Sequence, residues 1–250
     1  MKTLVLIPTY NEKENIPILV GELMRMPGVH VMVLDDQSPD GTGRIADQLA
    51  QTYPGRVQCL HRTGQRGLGV SYLEGFHRAI DSDFDFVGQM DADLSHDPKY
   101  LPAMIEAASN GADLVIGSRW IPGGSIVNWP KSREALSRGG NLYVRLLLGI
   151  DVHDATAGFR LFRRATLEKI DIDSVQSTGY VFQTDMAYRT LRAGLKVAEV
   201  PIEFIERERG DSKMSRDVAV ESLKSITRWG LRERARQVRR GLRRKGPRRS

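Results

Sequence analysis

The sequence predicts an α/β protein in which a mostly parallel sheet is flanked by helices. Short, continuously apolar runs alternate with longer segments of helical period. The apolar runs lack the hydrophobic–polar alternation of a half-exposed sheet, so they are typical of strands buried on both faces. Polar motifs follow these runs at their carboxyl ends. Such strands, joined by helical crossovers, form parallel sheets with helices on both faces.

Five strand predictions and four helix predictions cover the first half of the chain. The predicted strands are residues 3–10, 29–36, 56–62, 84–93 and 112–119. The predicted helices are residues 12–26, 40–53, 68–80 and 97–111. The fourth helix has the clearest start, because Asp97 can cap it and Pro98 suits its first position.

After Trp120 the pattern becomes less regular. Gly and Pro punctuate residues 121–130, which predicts a loop, and a helix follows. Pro201 cannot donate a ladder hydrogen bond, so its strand is expected at a sheet edge. The further elements predicted are a helix at 132–149, a strand and short helix within 155–170, a helix at 181–194, the edge strand at 196–207 and a helix at 216–231.

Composition predicts one domain with a basic extension. The chain has 250 residues and a formal charge of +6, but residues 232–250 alone carry +9, which leaves −3 for residues 1–231. We therefore expect a single domain at 1–231 and a separate basic tail at 232–250. The single cysteine excludes an internal disulfide and fits a reducing compartment. The sequence shows neither a signal peptide nor an 18-residue apolar run, so we expect no membrane span.

The ends of the predicted strands gather polar residues at one edge of the sheet. "PTYNE", "LDDQSPDGT", "MDAD" and "GSRW" each follow an apolar run. Ligands of open α/β sheets bind outside the carboxyl ends of the strands. The sequence therefore predicts a binding site at this edge, built from acids, amides and an arginine.

Two acids in this group indicate a metal site. Asp91 and Asp93 are separated by one small residue and follow the fourth strand. Two such carboxylates can share a hard divalent cation, Mg²⁺ or Mn²⁺, with a phosphate-bearing ligand. The alternative is a solvated turn at the strand end. Asp36 lies in a similar turn, from which it can accept hydrogen bonds from a nucleobase.

Other patterns are weaker or absent. Residues 64–72 contain closely spaced glycines, which fit close packing at a helix start and ligand contact equally well. Arg119, Arg133, Arg207 and Lys213 suit phosphate groups, although each alone is typical of a solvated cation. The sequence has no GxxxxGK[ST] phosphate loop, no Cys/His metal spacing and no convincing Ser-His-Asp order, and its five histidines fit structural roles.

The motifs include "IPTYNEKENI", "DDQSPDGT", "RGLGVSY", "MDADLSHDP", "GSRW", "ATAGFRLFRR", "GYVFQTDM" and "ERERGDSKMS", which together span residues 4 to about 215. As a set they resemble family 2 glycosyltransferases of the GT-A fold, a Rossmann-like sheet. Within that family they look close to dolichyl-phosphate and polyprenyl-phosphate mannosyltransferases.

The resemblance implies an inverting transfer of mannose from GDP-mannose to a polyprenyl monophosphate, and it assigns roles by position. Asp91, Asp93 and Arg119 match catalytic positions, with Asp93 as the metal ligand and Ser95 as a further candidate ligand. The donor-binding positions are Pro8, Tyr10, Glu12, Asp36, Asp91, Ala92, Asp93, Arg119, Arg207 and Lys213. Arg119, Arg133 and Ser137 match positions for the acceptor phosphate, and Gln183 and Asp185 match the sugar pocket.

The implied chemistry agrees with these residues. A phosphate monoester is largely dianionic near neutral pH, so it is already a nucleophile and needs no strong general base. The protein then has to supply positioning and charge stabilisation. A close alternative within the class is transfer of glucose or N-acetylglucosamine from a UDP-sugar.

The basic tail needs a separate interpretation. Clustered cations are attracted to anionic lipids, which favours a peripheral protein on the cytoplasmic face of the membrane. A disordered solubilising tail and a membrane-anchoring partner protein are the alternatives. A nucleic-acid-binding protein would rest on the tail alone, so we expect no nucleic-acid partner. A catalytically inactive membrane scaffold conflicts with the intact Asp91, Asp93 and Arg119.

Overall fold

The computed structural model describes residues 1–177, 179–206 and 224–235. Residues 224–235 are helical, in agreement with part of the helix predicted at 216–231. Arg207, Lys213 and most of the basic tail lie outside the described residues, and the boundary at residue 231 stays a prediction.

Within the described residues, the main sheet has seven strands and is mostly parallel, as predicted. Its order is β3-β2-β1-β4-β7-β5-β8, and β7 runs antiparallel to its neighbours β4 and β5. The strands are β1 Thr3–Thr9, β2 Val29–Asp35, β3 Val57–His61, β4 Phe86–Gln89, β5 Leu114–Ser118, β6 Ser125–Val127, β7 Arg160–Arg163, β8 Val197–Pro201 and β9 Glu203–Ile205.

Helices cover both faces of this sheet because its strands are apolar on both sides. In β1, Leu4 and Leu6 pack into one core, whereas Val5 and Ile7 pack into the other. Helices α3, α5, α6 and α7 and the segment 224–235 cover the first face, and α1, α2 and α4 cover the second. The helices are α1 Ile16–Met24, α2 Thr42–Thr52, α3 Leu68–Ile80, α4 Leu101–Ser109, α5 Lys131–Leu148, α6 Arg164–Lys169 and α7 Gly179–Arg192.

The sequence-based predictions of secondary structure are partly wrong after Trp120. Residues 121–130 are not all loop, because they contain β6, which pairs in parallel with β9. The strand predicted at 196–207 is two strands: β8 is an edge of the main sheet and ends at Pro201, and β9 belongs to the small second sheet. This pairing joins residues that are about 80 positions apart in the sequence, so no local sequence pattern predicts it.

Asp97 acts as a cap, as predicted, but it caps a short 3₁₀ turn that leads into α4 and not α4 itself. Its carboxylate accepts a hydrogen bond of 2.9 Å from the backbone N–H of Lys99, and Pro98 begins a short 3₁₀ turn. Helix α4 then begins at Leu101. Among the described residues, no helix is both long enough and apolar enough to cross a membrane.

Arg160 joins the antiparallel strand β7 to the segments around it. Its guanidinium is completely buried and donates to the backbone carbonyls of Ala157 (2.8 Å), Ala155 (2.7 Å) and Gln183 (2.6 Å). Burial lowers the pKa of Arg160 to about 9, and the carboxylate of Asp154 opposes this shift. The side chain therefore ties the loop before β7 to helix α7.

We expect Arg160→Ala to lower the free energy of unfolding by about 3 kcal/mol or more, because three carbonyls lose their donor. Urea denaturation measures this change. Arg25→Ala, which removes an exposed arginine, is the control and should change stability by less than about 0.5 kcal/mol. Equal stabilities for the two variants would contradict the role given to Arg160.

Cys59 lies on β3 with a thiol that should react slowly. Burial, together with the neighbouring carboxylates of Asp47 and Asp35, raises its pKa to about 12. Since only the thiolate is nucleophilic, alkylation by iodoacetamide at pH 8 should be at least ~100-fold slower than for free cysteine. Mass spectrometry measures the rate, and the urea-unfolded chain serves as the control. A native rate within tenfold of the unfolded rate would show that the thiol is not protected.

Candidate functional site

A cavity of about 520 Å³ opens at the carboxyl ends of the parallel strands. This volume is typical of a small-molecule site. Eleven of the residues singled out in the sequence line it, which confirms that they converge. They are Pro8, Tyr10, Glu12, Asp36, Asp91, Ala92, Asp93, Ser95, Arg119, Arg133 and Gln183.

Two further sequence-predicted residues lie outside this lining. Ser137 is half-buried one turn after Arg133 on α5, and its carbonyl accepts from Asn141 at 3.1 Å. Asp185 is buried on α7, where it accepts from Ser177 (2.9 Å) and Arg189 (2.8 Å). Burial raises the pKa of Asp185, and Arg189 and Ser177 oppose that rise. The ligand contacts of these two residues stay predictions.

The antiparallel direction of β7 completes the pocket. Its first residue, Arg160, pairs with Gln89 at the carboxyl end of β4. The loop that precedes β7 therefore lies at the edge of the sheet where the neighbouring strands β4 and β5 have their carboxyl ends. It contributes Thr156, Ala157 and Gly158 to the pocket wall.

Asp36 is held by a buried arginine that sequence reasoning missed. The guanidinium of Arg62 is buried and forms an ion pair with the Asp36 carboxylate. Ser71 Oγ and the backbone N–H of Gly67 also donate to Asp36, each at 3.2 Å. This network fixes the carboxylate at the pocket wall and compensates its charge.

Tyr10 and Arg66 form a flat, cationic part of the wall. The Arg66 guanidinium lies 4.7 Å from the centre of the Tyr10 ring, and it donates to the Tyr10 hydroxyl at 3.2 Å. Both residues line the cavity beside Asp36. Arg66 belongs to the glycine-containing segment 64–72, for which both interpretations find support. Arg66 and Gly67 line the cavity, whereas a Cβ atom at Gly69, in the first turn of α3, would lie 3.2 Å from the Phe182 ring.

Asp91 and Asp93 lie just past the end of β4, inside the cavity. The hydroxyl of Ser95 donates to Asp93 Oδ1 at 2.5 Å, and its backbone N–H donates to the same oxygen at 3.1 Å. In this arrangement Ser95 orients Asp93 as a hydrogen-bond donor. Two carboxylates at one cavity wall form the hard oxygen donor set that Mg²⁺ and Mn²⁺ prefer, so the residues fit such an ion.

His96 is a part of the site that the sequence did not reveal. Its ring is buried, stacks on Phe159 at 5.3 Å and lines the cavity. The backbone N–H of Asp91 donates to Nδ1 at 3.1 Å, so the neutral ring carries its proton on Nε2. Nε2 lies 3.8 Å from Asp91 Oδ2. His96 therefore holds the backbone of Asp91 through the hydrogen bond to Nδ1.

Arg119 is oriented by Asp154, which sequence reasoning also missed. Two parallel hydrogen bonds of 2.7 Å join Nε and one terminal nitrogen of Arg119 to the two oxygens of the buried Asp154. The Arg119 backbone N–H donates to the same carboxylate at 3.0 Å. Such a bidentate pair fixes the guanidinium plane at the cavity wall.

Arg133 lies on the same side of the cavity, at the start of α5. Its guanidinium stacks over the Trp129 ring at 4.0 Å and forms an ion pair with Glu206. Arg119 lies 5.6 Å from the same ring. The two arginines therefore flank one indole, which places two positive charges close together in the pocket.

Two buried amide side chains at this edge of the sheet lack hydrogen-bond partners in the protein. Within the described part of the chain, they belong to Gln183 on α7 and to Gln89, the last residue of β4. Burial raises the pKa of Tyr72 well above its usual value, and Asp91 and Asp93 raise it further, so the phenol stays a neutral donor. Gln183 lines the cavity, where its amide can bind a polar ligand.

A second group of potential ligands does not fit these ions. Asp47, Cys59 and His61 lie together on α2 and β3, outside the cavity lining. The His61 ring already pairs with Asp47 at 2.9 Å, and the raised pKa of Cys59 disfavours the thiolate a metal needs. Of the two groups, Asp91 and Asp93 are better suited to a hard divalent cation.

Curated relatives match almost the whole chain. A polyprenol monophosphomannose synthase of Mycolicibacterium smegmatis is 50% identical over 234 residues, which are 93% of this chain and 88% of that protein. An undecaprenyl-phosphate mannosyltransferase of Micrococcus luteus is 50% identical over 232 residues, which are 92% of this chain and 95% of that protein.

Solved structures share the fold at low identity. A glucosyl-3-phosphoglycerate synthase of Mycobacterium tuberculosis, in complex with Mn²⁺, UDP-glucose and phosphoglyceric acid, has a TM-score of 0.66 and 17% identity, covering 92% of this chain and 79% of that one. A mannosyl-3-phosphoglycerate synthase of Rubrobacter xylanophilus has a TM-score of 0.66 and 19% identity, covering 96% and 76%.

The family model of glycosyl transferase family 2 matches residues 4–171, the segment that holds most of the cavity wall. The match, the two relatives at 50% identity and the shared fold agree with the resemblance expected from the sequence motifs. This chain belongs to glycosyl transferase family 2 and is a glycosyltransferase.

Proposed function

We propose that this enzyme transfers mannose from GDP-mannose to a polyprenyl monophosphate, with inversion at the sugar carbon. The observation that carries the proposal is the 50% identity, over more than nine-tenths of the chain, to two relatives named for polyprenyl-phosphate mannosylation. The arrangement of acids and arginines in one cavity supports the same reaction.

The acceptor phosphate suits the side of the cavity that holds Arg119 and Arg133. Their guanidinium groups flank the Trp129 ring, and their carboxylate partners Asp154 and Glu206 hold them in place. Two fixed cations bring a phosphate dianion next to an anionic donor that would otherwise repel it. We assign phosphate positioning to this pair, with Ser137 as an additional expected contact.

The nucleotide suits the opposite wall, where Tyr10, Arg66 and Asp36 lie. Asp36 can accept from a nucleobase N–H, while Arg62 and Ser71 keep its carboxylate in place. Pro8, Glu12 and Ala92 complete this part of the lining. Arg207 and Lys213, outside the described residues, are proposed to contact the diphosphate.

Asp91 and Asp93 are proposed to hold a divalent cation, Mg²⁺ or Mn²⁺, beside the diphosphate. The cation would stabilise the negative charge of the departing nucleotide. The residues of the chain orient this site: Ser95 donates to Asp93, and His96 accepts from the Asp91 backbone N–H. Gln183 and Asp185 are proposed for the sugar pocket.

The acceptor also determines where the enzyme works. We propose a peripheral enzyme on the cytoplasmic face, where a nucleotide-sugar and a membrane-bound polyprenyl phosphate meet. The basic sequence of residues 232–250 supports attraction to anionic lipid. A membrane-anchoring partner protein would give the same location.

The direct test is transfer of labelled mannose from GDP-mannose to polyprenyl monophosphate in detergent with Mg²⁺ or Mn²⁺. We expect a metal-dependent mannolipid, with activity lowered about 100-fold or more in Asp93→Ala. Asp83→Ala removes an exposed carboxylate beyond the other end of β4 and should leave activity unchanged. Product from UDP-glucose, with none from GDP-mannose, would overturn the donor assignment.

The Asp154–Arg119 pair leads to a prediction about the kinetics of the acceptor substrate. Asp154→Asn keeps the size of the side chain but removes the charge that fixes Arg119. We expect kcat/KM for the acceptor to fall about 100-fold, because phosphate positioning is lost, while the KM for GDP-mannose changes less.

Asp151→Asn is the matched control, since it makes the same charge change three residues away. Asp151 is exposed and pairs only with Arg145 among the contacts described, so acceptor kinetics should be unchanged. Equal acceptor kinetics in Asp154→Asn and the parent enzyme, with folding confirmed by thermal denaturation, would contradict the positioning role of Asp154.

A further inference from the structure

Glu199, on strand β8, holds the backbone of the loop that carries Asp154. One oxygen of its carboxylate accepts from the backbone N–H of His153 at 2.8 Å, and the other accepts from the backbone N–H of Asp154 at 2.9 Å. The His153 ring also lies 2.9 Å from the first oxygen, through Nδ1. All three residues lie outside the described lining of the cavity. Strand β8 therefore contacts the site only indirectly, through this loop.

The contacts of Glu199 are well suited to fixing a short piece of backbone. A backbone N–H can only donate, and a carboxylate accepts at both of its oxygens, so each of the two peptide groups has its own acceptor. The Glu199 side chain is only 10% exposed, which limits competition from water. Hydrogen bonds to an ionised acceptor are about twice as strong as neutral ones. Glu199 consequently fixes the peptide between His153 and Asp154.

The side chain of Asp154 leads from this loop to the cavity. Its carboxylate is fully buried and binds the Arg119 side chain through two hydrogen bonds of 2.7 Å. Its other side-chain donors, Asn141 and Thr156, are farther away, at 3.3 Å each. An aspartate carboxylate is only one carbon away from the backbone, so it has little reach of its own. The plane of the Arg119 guanidinium therefore depends on where the Asp154 backbone lies.

The sheet gives Glu199 a fixed place relative to Arg119. Strand β8 pairs in parallel with β5, with Glu199 beside Ile116 and Pro201 beside Ser118, the last residue of β5. Arg119 follows β5 directly, and its backbone N–H donates to Asp154 at 3.0 Å. The loop is thus held from β8 by Glu199 and from the end of β5 by Arg119. Two neighbouring strands in register determine its position.

Glu199 also belongs to the charge network beneath the acceptor side of the cavity. Burial lowers the pKa of Arg160 to about 9, and the carboxylates of Asp154 and Glu199 both oppose this shift. Arg160 in turn donates to the carbonyl of Ala155, the residue after Asp154. A change at Glu199 should consequently act on the loop through both its hydrogen bonds and its charge.

We propose that Glu199 is a positioning residue for the acceptor phosphate and that it acts through Asp154 on Arg119. Glu199 fixes the Asp154 backbone, Asp154 fixes the guanidinium plane, and that plane determines where a phosphate is held. Glu199 itself contacts neither substrate. This role deepens the proposed function and rests on it for the identity of the phosphate.

The first test separates acceptor kinetics from donor kinetics. Glu199→Gln keeps the size of the side chain, but its NH₂ group cannot accept from a backbone N–H. We expect kcat/KM for polyprenyl monophosphate to fall about tenfold, mostly through KM, while the KM for GDP-mannose stays within about twofold. Glu203→Gln is the matched control, because it makes the same change on β9, outside the cavity lining, and should leave both substrates unaffected.

Parental acceptor kinetics in Glu199→Gln would overturn the proposal, and so would equal changes in the two KM values, which indicate a general structural role. Thermal denaturation checks that the variant is folded. If it is not, Glu199→Asp takes its place, because it keeps the charge but is one methylene too short to reach both N–H groups. The same direction of change is expected, and parental kinetics would overturn the proposal.

A double-mutant cycle tests whether Glu199 acts through Asp154. In the Asp154→Asn background, adding Glu199→Gln should lower acceptor kcat/KM by less than about twofold, because the connection to Arg119 is already broken. A further fall of about tenfold would show that the two residues act independently and would overturn the proposed route.

A readout that needs no reaction separates this proposal from the proposed function. In the full chain labelled with ¹⁵N-arginine, NMR measures the hydrogen exchange of the Arg119 Nε–H, which is assigned by its loss in Arg119→Lys. We expect exchange about tenfold or more faster in Glu199→Gln and unchanged in Glu203→Gln. Unchanged exchange in Glu199→Gln would overturn the proposal. Faster exchange, in a parent enzyme that transfers no mannose, would disprove the function while retaining the positioning of Arg119 by Glu199.

Discussion

The rest of this structure depends on one constraint. The negative charges of the carboxylates that gather at one edge of the sheet have to be compensated. Parallel strands end at the same edge, so acids that follow different strands are forced together. Like charges at short range raise one another's pKa and disfavour the ionised forms. Buried arginines meet this constraint at two places, Arg62 at Asp36 and Arg119 at Asp154. The same pairs hold the ligand-facing groups rigidly.

One antiparallel strand makes this arrangement possible. Because β7 enters the sheet in the opposite direction, the loop before it reaches the edge where its neighbours end. Asp154 and Thr156 come from that loop, and the buried Arg160 ties it to α7 through backbone carbonyls. Arg160 therefore supports a site that its own side chain does not line. The stability of the fold and the proposed positioning of the acceptor therefore depend on the same structural element.

The sequence was informative where the signals are local. Continuous apolar runs predict the parallel strands, and the polar residues that follow them predict which side chains meet, from Tyr10 to Arg119. The partners of those side chains could not be predicted in the same way. Arg62, His96 and Asp154 have no periodic or motif signal of their own, and their roles arise from contacts made only in the folded chain. The β6–β9 pairing was missed for the same reason.

The central claim is that Asp91 and Asp93 bind the donor diphosphate through a divalent cation. Calorimetric titration of GDP into the full chain, with Mn²⁺ or with EDTA, tests it most directly. The account predicts affinity at least about tenfold tighter with Mn²⁺, because the cation bridges carboxylates and phosphates. Equal affinities in Mn²⁺ and EDTA would contradict it and would restrict the acids to an electrostatic or structural role.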